Sequence, residues 1–476
     1  MKTDKLREFE PIFYPKSIAV VGAFGNPFKS GYTFLVNLVN AGFRGAVYPV
    51  STNDSEVLGM KIYRSVTDIP APVDYVMVCV PAHSVLPVLD DCATKGVKVV
   101  QMFTAGFSET GNRDGLLLED AVVQKAKEGK FRIIGPNCIG VYSPSVNMVC
   151  GPDYYLGEKG KVALLSQSGG HAGRIIKAGI ARKLGFSKGV SFGNGADLDS
   201  VDYLEYFAVD PETKIIGAYI EGVRDGRRFF NLLRQITVTK PVVLLKGGKT
   251  AAGAVAAASH TGSLVASQAI WSAVLKQAGV IQAENVDELV DTLIAIDRMP
   301  YCRRGNVALV SGLAAGGGGD SVTSSDACLE RGLAIPPFSG ETRKRLQSLV
   351  TWPGTFIPNP LDLSALGGDL KNLEVALQVV GADPAIDIVI VQLHADDAYY
   401  MWTVKGLETI IETIISFVES RMKPLIVVLP PGVVENERLK TEARLCQSGI
   451  AVYPSIERAA RAIALTCRFY SNQSSR

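Results

Sequence analysis

An α/β fold of three consecutive doubly wound domains is predicted by three features of the sequence. Continuous apolar, β-branched runs recur along the chain, they alternate with stretches of helical period, and glycine clusters follow several of the runs. Runs that are apolar throughout suit strands covered on both faces, as in parallel sheets. Strands alternating with helices imply βαβ units.

The first group of runs is residues 17–22 (SIAVVG), 46–50 (AVYPV), 74–80 (DYVMVCV) and 97–103 (VKVVQMF). Residues 161–165 (KVALL), 214–220 (KIIGAYI) and 241–245 (PVVLL) form a second group. A third comprises 306–310 (NVALV), 387–393 (DIVIVQL) and 425–429 (LIVVL). Helical period is clear at 269–278 and 289–299. Two breaks divide the groups. Residues 142–160 are rich in turn formers and follow neither period, and residues 299–305 (MPYCRRG) make a polar step between a helix and a strand. The expected domains are 1–145, 146–300 and 301–476, each of ordinary size. The second and third open alike, with a strand, a serine, a glycine cluster and a helix.

Composition narrows the function classes. Of the 476 residues 47% are hydrophobic and 20% charged, a globular balance that excludes intrinsic disorder. Lys plus Arg is 49 against 47 for Asp plus Glu, a net charge of +2 that gives no reason to expect nucleic acid or an anionic membrane as partner. Every apolar run is cut well before the roughly 18 residues of a membrane span. The first fifteen residues carry Asp4, Glu8 and Glu10 and no apolar core, so no signal peptide is expected there. The eight cysteines show no CxxC or zinc spacing and read as reduced, structural thiols. The expectation is a soluble, cytoplasmic protein of enzyme size, with no metal site of its own.

Glycine-rich turns at strand ends carry the chemistry. The first, Val20-Val21-Gly22-Ala23-Phe24-Gly25-Asn26-Pro27-Phe28-Lys29-Ser30-Gly31, leads from a strand into a helix. Gly22 and Gly25 let backbone N–H groups approach a phosphate, the helix dipole adds attraction, and Lys29 offers a cation. An NAD site wants an acidic residue closing the second strand. Here that strand runs into Ser51, Thr52 and Asn53, with Asp54 one step further. A nucleotide-like ligand other than NAD fits this end; a plain tight turn is the other reading.

The second motif is Ser166-Gln167-Ser168-Gly169-Gly170-His171, whose hydroxyls and N–H groups at a helix start make an anion site. Simple helix capping would explain its serines alone. The third is Lys246-Gly247-Gly248-Lys249-Thr250, followed by small residues and then Ser259-His260-Thr261-Gly262-Ser263. His260, one of four histidines, stands there in a polar loop and can act as a nucleophile that forms a covalent intermediate. An incidental surface histidine is the alternative. Glu221 closes the run 214–220, on the edge where ligands sit in open α/β sheets. A carboxylate near imidazole fixes its tautomer and stabilises its cation, although a strand-end Glu also serves as a cap or a solvated charge. Gly316 and Gly317, after Ser311, repeat the strand–glycine–helix cradle, while Asn359-Pro360-Leu361-Asp362-Leu363 reads as a structural turn. His83 and His394 also follow strands and show no metal spacing.

Taken in order, these motifs resemble those of the NDP-forming acyl-CoA synthetases over essentially the whole chain. Residues 258–264 (ASHTGSL) are similar to the family's phosphohistidine loop, and 166–169 (SQSG) to its phosphate-binding helix start. Residues 193–197 (GNGAD) are similar to the following strand–loop segment, 133–140 (IIGPNCIG) to the end of the CoA-binding domain, and 359–363 to the third domain. The resemblance implies an N-terminal Rossmann-like domain that binds CoA through Gly22, Gly25, Lys29, Ser51, Asn53, Pro81 and Asn137, followed by two flavodoxin-like ligase domains. It implies an ADP-forming ligase working in three reversible steps. Acyl-CoA and inorganic phosphate give acyl phosphate and CoA; His260 takes the phosphoryl group as the carboxylic acid leaves; the phosphohistidine then converts ADP to ATP. Glu221 matches the glutamate that holds the phosphohistidine. Ser166, Gln167, Ser168, Gly169, Gly170, Gly262, Ser263, Gly316 and Gly317 would bind phosphate.

Two departures from the family pattern matter. Gly170-His171 replaces an apolar or small pair, which gives His171 either a part in the acyl pocket or a plain helix-start role. No ATP-grasp domain follows the third domain, which resembles the separate α subunit of the heteromeric enzymes. That implies an ATP-grasp β subunit holding ADP or ATP with Mg²⁺, in an α₂β₂ assembly. A non-catalytic CoA or acyl-CoA sensor on the same fold is the alternative, and the His260 loop with Glu221 argues against it, since a sensor needs no phosphate carrier.

Overall fold

The computed structural model describes residues 2–22, 26, 28–52, 55–149, 155–255, 267–299, 302–313, 317–349, 358–366 and 370–473. All ten apolar runs contain strands, and helices alternate with them as expected. The strands build three large sheets and a small antiparallel pair, Glu56–Val57 with Met60–Lys61. The first runs Ala46–Val50, Ser17–Val21, Tyr75–Val78, Val99–Met102, Arg132–Ile134, all parallel. The second runs Ile281–Ala283, Val242–Lys246, Ile215–Ile220, Lys159–Ser166, Phe186–Ser191, with Gly140–Tyr142 added antiparallel at the edge. The third runs Leu361–Asp362, Val307–Ser311, Ile388–Gln392, Leu425–Val428, Ala451–Tyr453.

Counting the parallel strands of each sheet in chain order, all three read second, first, third, fourth, fifth. Strand order therefore reverses beside the first strand, and the ligand crevice of each sheet lies at that strand's carboxyl end. These ends are Val21, Ser166 and Ser311.

Among the described residues, six strands of these sheets lie outside the ten runs, and two of them show the physical reasons. Phe186–Ser191 (FSKGVS) carries Lys188 in mid-strand, which breaks its apolar run. In the fold Lys188 is fully buried, and its ammonium donates to Asp210 and Glu212, each at 2.8 Å. Such pairing is what allows a charge in a covered strand. Leu361–Asp362, read from sequence as a turn, pairs in parallel with Val310–Ser311 as a two-residue edge strand.

The chain packs as two compact units, one comprising the residues to Ile180 together with Leu184–Leu289, the other Ala181–Lys183 with the residues from Val290 onward. The first two sheets share the first unit and one hydrophobic core. The N-terminal helix Lys2–Phe13 takes part by crossing to the second sheet's helix layer. Its Phe9 and Phe13 stack on Tyr206 of Ser200–Val209, each at 4.9 Å between centroids. Both phenylalanines are fully buried, worth about 1.5–3 kcal/mol apiece. The segment 193–197 adds a polar clasp. Asp197 accepts from the Arg132 guanidinium at 2.9 and 3.0 Å and from the Ile133 amide at 2.8 Å, and the Asn194 side chain donates to Glu109 and Glu119. The second unit is built around the third sheet and a core of its own. Among the described residues no helix is long and apolar enough to cross a membrane.

Candidate active site

The first sheet's switch point opens on a cavity of about 660 Å³. One wall holds Lys29 and Ser30, at the start of the helix Ser30–Ala41. The floor comes from residues that follow successive strands: Cys79, Val80 and Pro81, then Phe103 and Thr104, then Asn137, Cys138 and Ile139. The far wall is Gly169 and Gly170, where the helix Gly169–Ala181 of the second sheet begins. The cavity thus runs from the strand ends of one sheet to a helix N-terminus of the next.

Backbone shape builds this space. Gly22 has φ +93°, and a Cβ there would stand 2.7 Å from the Cys79 carbonyl oxygen, so the turn requires glycine. Asn137 also has positive φ, at 57°, and its amide donates to Thr104 O at 2.9 Å. Gln101, fully buried, accepts from the Tyr75 hydroxyl and donates to Ile139 O, which pins the loop over the sheet. Burial pushes the Cys79 thiol up to about 12, so it stays protonated.

At the second switch point, residues from three strand ends converge. The Gln167 side-chain oxygen accepts from the amides of Glu221 (2.8 Å) and Gly222 (3.1 Å), tying the two loops together. Lys246 donates its ammonium to Glu221 O at 2.7 Å and to Gly247 O, and lies 5.1 Å over the Trp271 ring. Burial holds its pKa below the usual lysine value. Glu221 is buried, and the Tyr219 hydroxyl donates to its Oε1 at 3.1 Å. Ser166 is wholly buried, with its hydroxyl turned inward to Ser168 O at 2.6 Å. Ser168 Oγ lies 3.2 Å from His171 Nδ1. Gly170 is exposed, and open space lies where its Cβ would stand. The helix start therefore offers backbone N–H groups beside a buried carboxylate, a setting suited to an anion that exchanges a group with a neighbouring base. His171 stacks flat on Tyr219, with centroids 4.2 Å apart and planes 6° apart. Burial pulls its pKa below the usual histidine value, Glu221 opposes that and Arg174 adds to it, so the ring is neutral near pH 7.

Of the other residues singled out from sequence, Pro81 lines the cavity, while Ser51 is buried one strand away and donates its amide to Tyr63 O. Gly317 begins the helix Gly317–Glu330 in the second unit. An added Cβ there would meet the Asp362 carboxylate at 2.0 Å, so that helix start already faces an anion of this chain. His394 lies 2.7 Å from Asp320, and His83 is exposed on a one-turn helix. Gly25, Asn53, His260, Gly262, Ser263 and Gly316 lie outside the described residues. Among the described residues no group of three or more His, Cys, Asp or Glu could hold a metal ion. Sequence reasoning passed over Phe103 and Thr104, whose place just after a strand end was the signal available, and Tyr219, which offered none.

Residues 16–144 match the family model described as CoA binding domain, and residues 159–296 the one described as succinyl-CoA ligase like flavodoxin domain. The α subunit of ADP-forming acetate–CoA ligase I of Pyrococcus furiosus is 37% identical over 464 residues, 96% of each chain. ADP-forming acetate–CoA ligase I of Archaeoglobus fulgidus is 38% identical over 80% of this chain, which covers 54% of that longer protein. Among solved structures, the dinucleotide-forming acetyl-coenzyme A synthetase 1 of Ca. Korarchaeum cryptofilum, in complex with phosphate and ADP, superposes with a TM-score of 0.83 at 30% identity, over 98% of this chain and 97% of that one.

Proposed function

The chain belongs to the NDP-forming acyl-CoA synthetases, and from that premise we propose that it is the α-subunit-like chain of an ADP-forming acid–thiol ligase. It interconverts acyl-CoA, ADP and phosphate with a carboxylic acid, CoA and ATP. The observation that carries this reading is the cavity that joins the first sheet's strand ends to Gly169 and Gly170. CoA enters along the first sheet, and its thioester reaches the helix start where phosphate is held.

The chemistry then follows from the residues present. A phosphate oxygen attacks the acyl carbon, the C–S bond breaks, and CoA leaves with a proton as the thiol. A His260 ring nitrogen attacks phosphorus, the P–O bond to the acyl group breaks, and the carboxylate departs. An ADP oxygen finally takes the phosphoryl group as the P–N bond breaks. Each step depends on positioning and charge stabilisation. Backbone N–H groups at 168–170 hold the phosphate and Glu221 supports the cationic ring of His260. Gly262 and Ser263, just after His260 in sequence, bind phosphate with those N–H groups, and His171 borders the acyl group. Of the two third-domain glycines, Gly317 holds no phosphate, because the Asp362 carboxylate stands against its helix start. ADP and Mg²⁺ sit on an ATP-grasp β subunit, in a cytoplasmic α₂β₂ assembly. The domains 1–145 and 146–300 divide the work between CoA and phosphate, and 301–476 is the third domain.

Glu221→Gln keeps the shape and removes the charge. It is expected to slow phosphohistidine formation on the order of 10²-fold, read as the rate of labelling from radioactive phosphate. Wild-type labelling by that variant would return Glu221 to a structural role.

CoA is expected to bind the full chain saturably in calorimetry, and NADH not at all. The full chain is the right sample, because the N-terminal helix stacks on Ser200–Val209 and the loop after Arg132–Ile134 bonds to the segment 193–197. Gly22→Ala strains a left-handed turn and presses on the Cys79 carbonyl, which should weaken CoA about tenfold. NADH binding without CoA binding would overturn the assignment of this cavity.

A further inference from the structure

Glu221 is held from more directions than a strand-end carboxylate needs. Tyr219 and Glu221 are two apart on one strand end, so both side chains point to the same face. The Tyr219 hydroxyl donates to Glu221 Oε1 at 3.1 Å. Burial and that same carboxylate keep the phenol well above the usual tyrosine range, so it is a permanent donor. Across from it, Gly247 leaves a slot. A Cβ there would stand 2.5 Å from the Tyr219 hydroxyl and 3.0 Å from Glu221 Cγ. His171 closes the other side, its ring flat on the phenol at 4.2 Å and its Nδ1 tied to Ser168 Oγ. Three separate segments therefore fix one hydroxyl against one carboxylate, beside the helix start that faces the cavity.

We propose that Tyr219 is a positioning residue for phosphoryl transfer, its hydroxyl fixing the plane of the Glu221 carboxylate while His171 pins the phenol ring. This rests on the reading that Glu221 supports His260. A hydrogen bond to a charged group strengthens as charge develops on its partner, so a fixed carboxylate stabilises the imidazole that becomes cationic in the transition state. The same bond does little for a bound acyl-CoA. Its loss is felt in the maximal rate and not in half-saturation.

The test measures single-turnover labelling of the full chain by radioactive phosphate at increasing acyl-CoA. Acetyl-, butyryl- and phenylacetyl-CoA are screened, and variants are compared on the one that labels the unaltered chain fastest. Tyr219→Phe keeps the stack and removes one oxygen. It should lower the maximal rate about tenfold and leave half-saturation within about twofold. His171→Ala frees the phenol and should lower the rate in the same sense, and His171→Phe, which restores the stack, should recover most of it. Glu221→Gln is run alongside. If Glu221→Gln labels at the normal rate, the reading that Glu221 supports His260 fails, and the positioning role of Tyr219 fails with it. If Glu221→Gln is slow and Tyr219→Phe is normal, or if Tyr219→Phe changes only half-saturation, the positioning role is overturned and the functional reading stands.

Discussion

Acid-labile, base-stable label from radioactive phosphate and acyl-CoA is expected to vanish in His260→Ala. The lability is that of a P–N bond, as in phosphohistidine, and the chain has four histidines. Three of them are described. His171 is stacked on Tyr219 and tied to Ser168, His394 is paired with Asp320, and His83 is exposed on a turn beyond the first sheet. A carrier has to visit two sites, and a ring engaged in a stack or a carboxylate hydrogen bond gives up those contacts with each visit. His260 stands among Ala, Ser, Thr and Gly, residues that add little bulk to a segment that must pass between sites. Removing a covalent nucleophile leaves no alternative acceptor, so labelling should fall by about 10³-fold or more, to background. Label that persists in His260→Ala and disappears when one of the other three histidines is replaced would reassign the carrier.

The sheets were legible because burial on both faces leaves a signature that needs no partner: strands such as Leu425–Val428 are apolar at every position. Phe186–Ser191 was not legible, since Lys188 is tolerated only through Asp210 and Glu212, which lie beyond the next helix. The site divides in the same way. Glu221, Gly169 and Gly22 could be found from their place at strand ends, where the fold class itself directs ligands. Tyr219 could not, because its meaning depends on Glu221, His171 and Gly247 meeting in space. Asp362 was hidden for the same reason: a turn in the sequence becomes a carboxylate set against the helix start at Gly317.

The purified 476-residue chain is expected to accept label on His260 and yet make no ATP from ADP until an ATP-grasp protein is added. The expectation rests on the chemistry of the last step. Phosphoryl transfer to ADP needs the nucleotide's charge neutralised and its terminal oxygen held in line with the P–N bond. The sequence offers glycine-rich turns, a CoA-type cavity and a carrier loop, but no GxxxxGK[ST] turn to wrap a nucleotide. The Pyrococcus relative covered along 96% of its length is an α subunit, whereas in the longer Archaeoglobus protein the matching region is 54% of one polypeptide. On the proposed α-subunit-like reading, the nucleotide-binding portion belongs to a second chain. Without it, the phosphohistidine has only water or the carboxylic acid as acceptor. Label should therefore survive addition of ADP and be chased by the acid plus CoA. Adding the ATP-grasp protein should shift the label into ATP, raising ADP-dependent turnover from background by about 10³-fold or more. The mass of the mixture should rise to that of a hetero-oligomer. ATP formation at full rate by the chain alone, at a purity that excludes a contaminating subunit, would overturn the partner requirement.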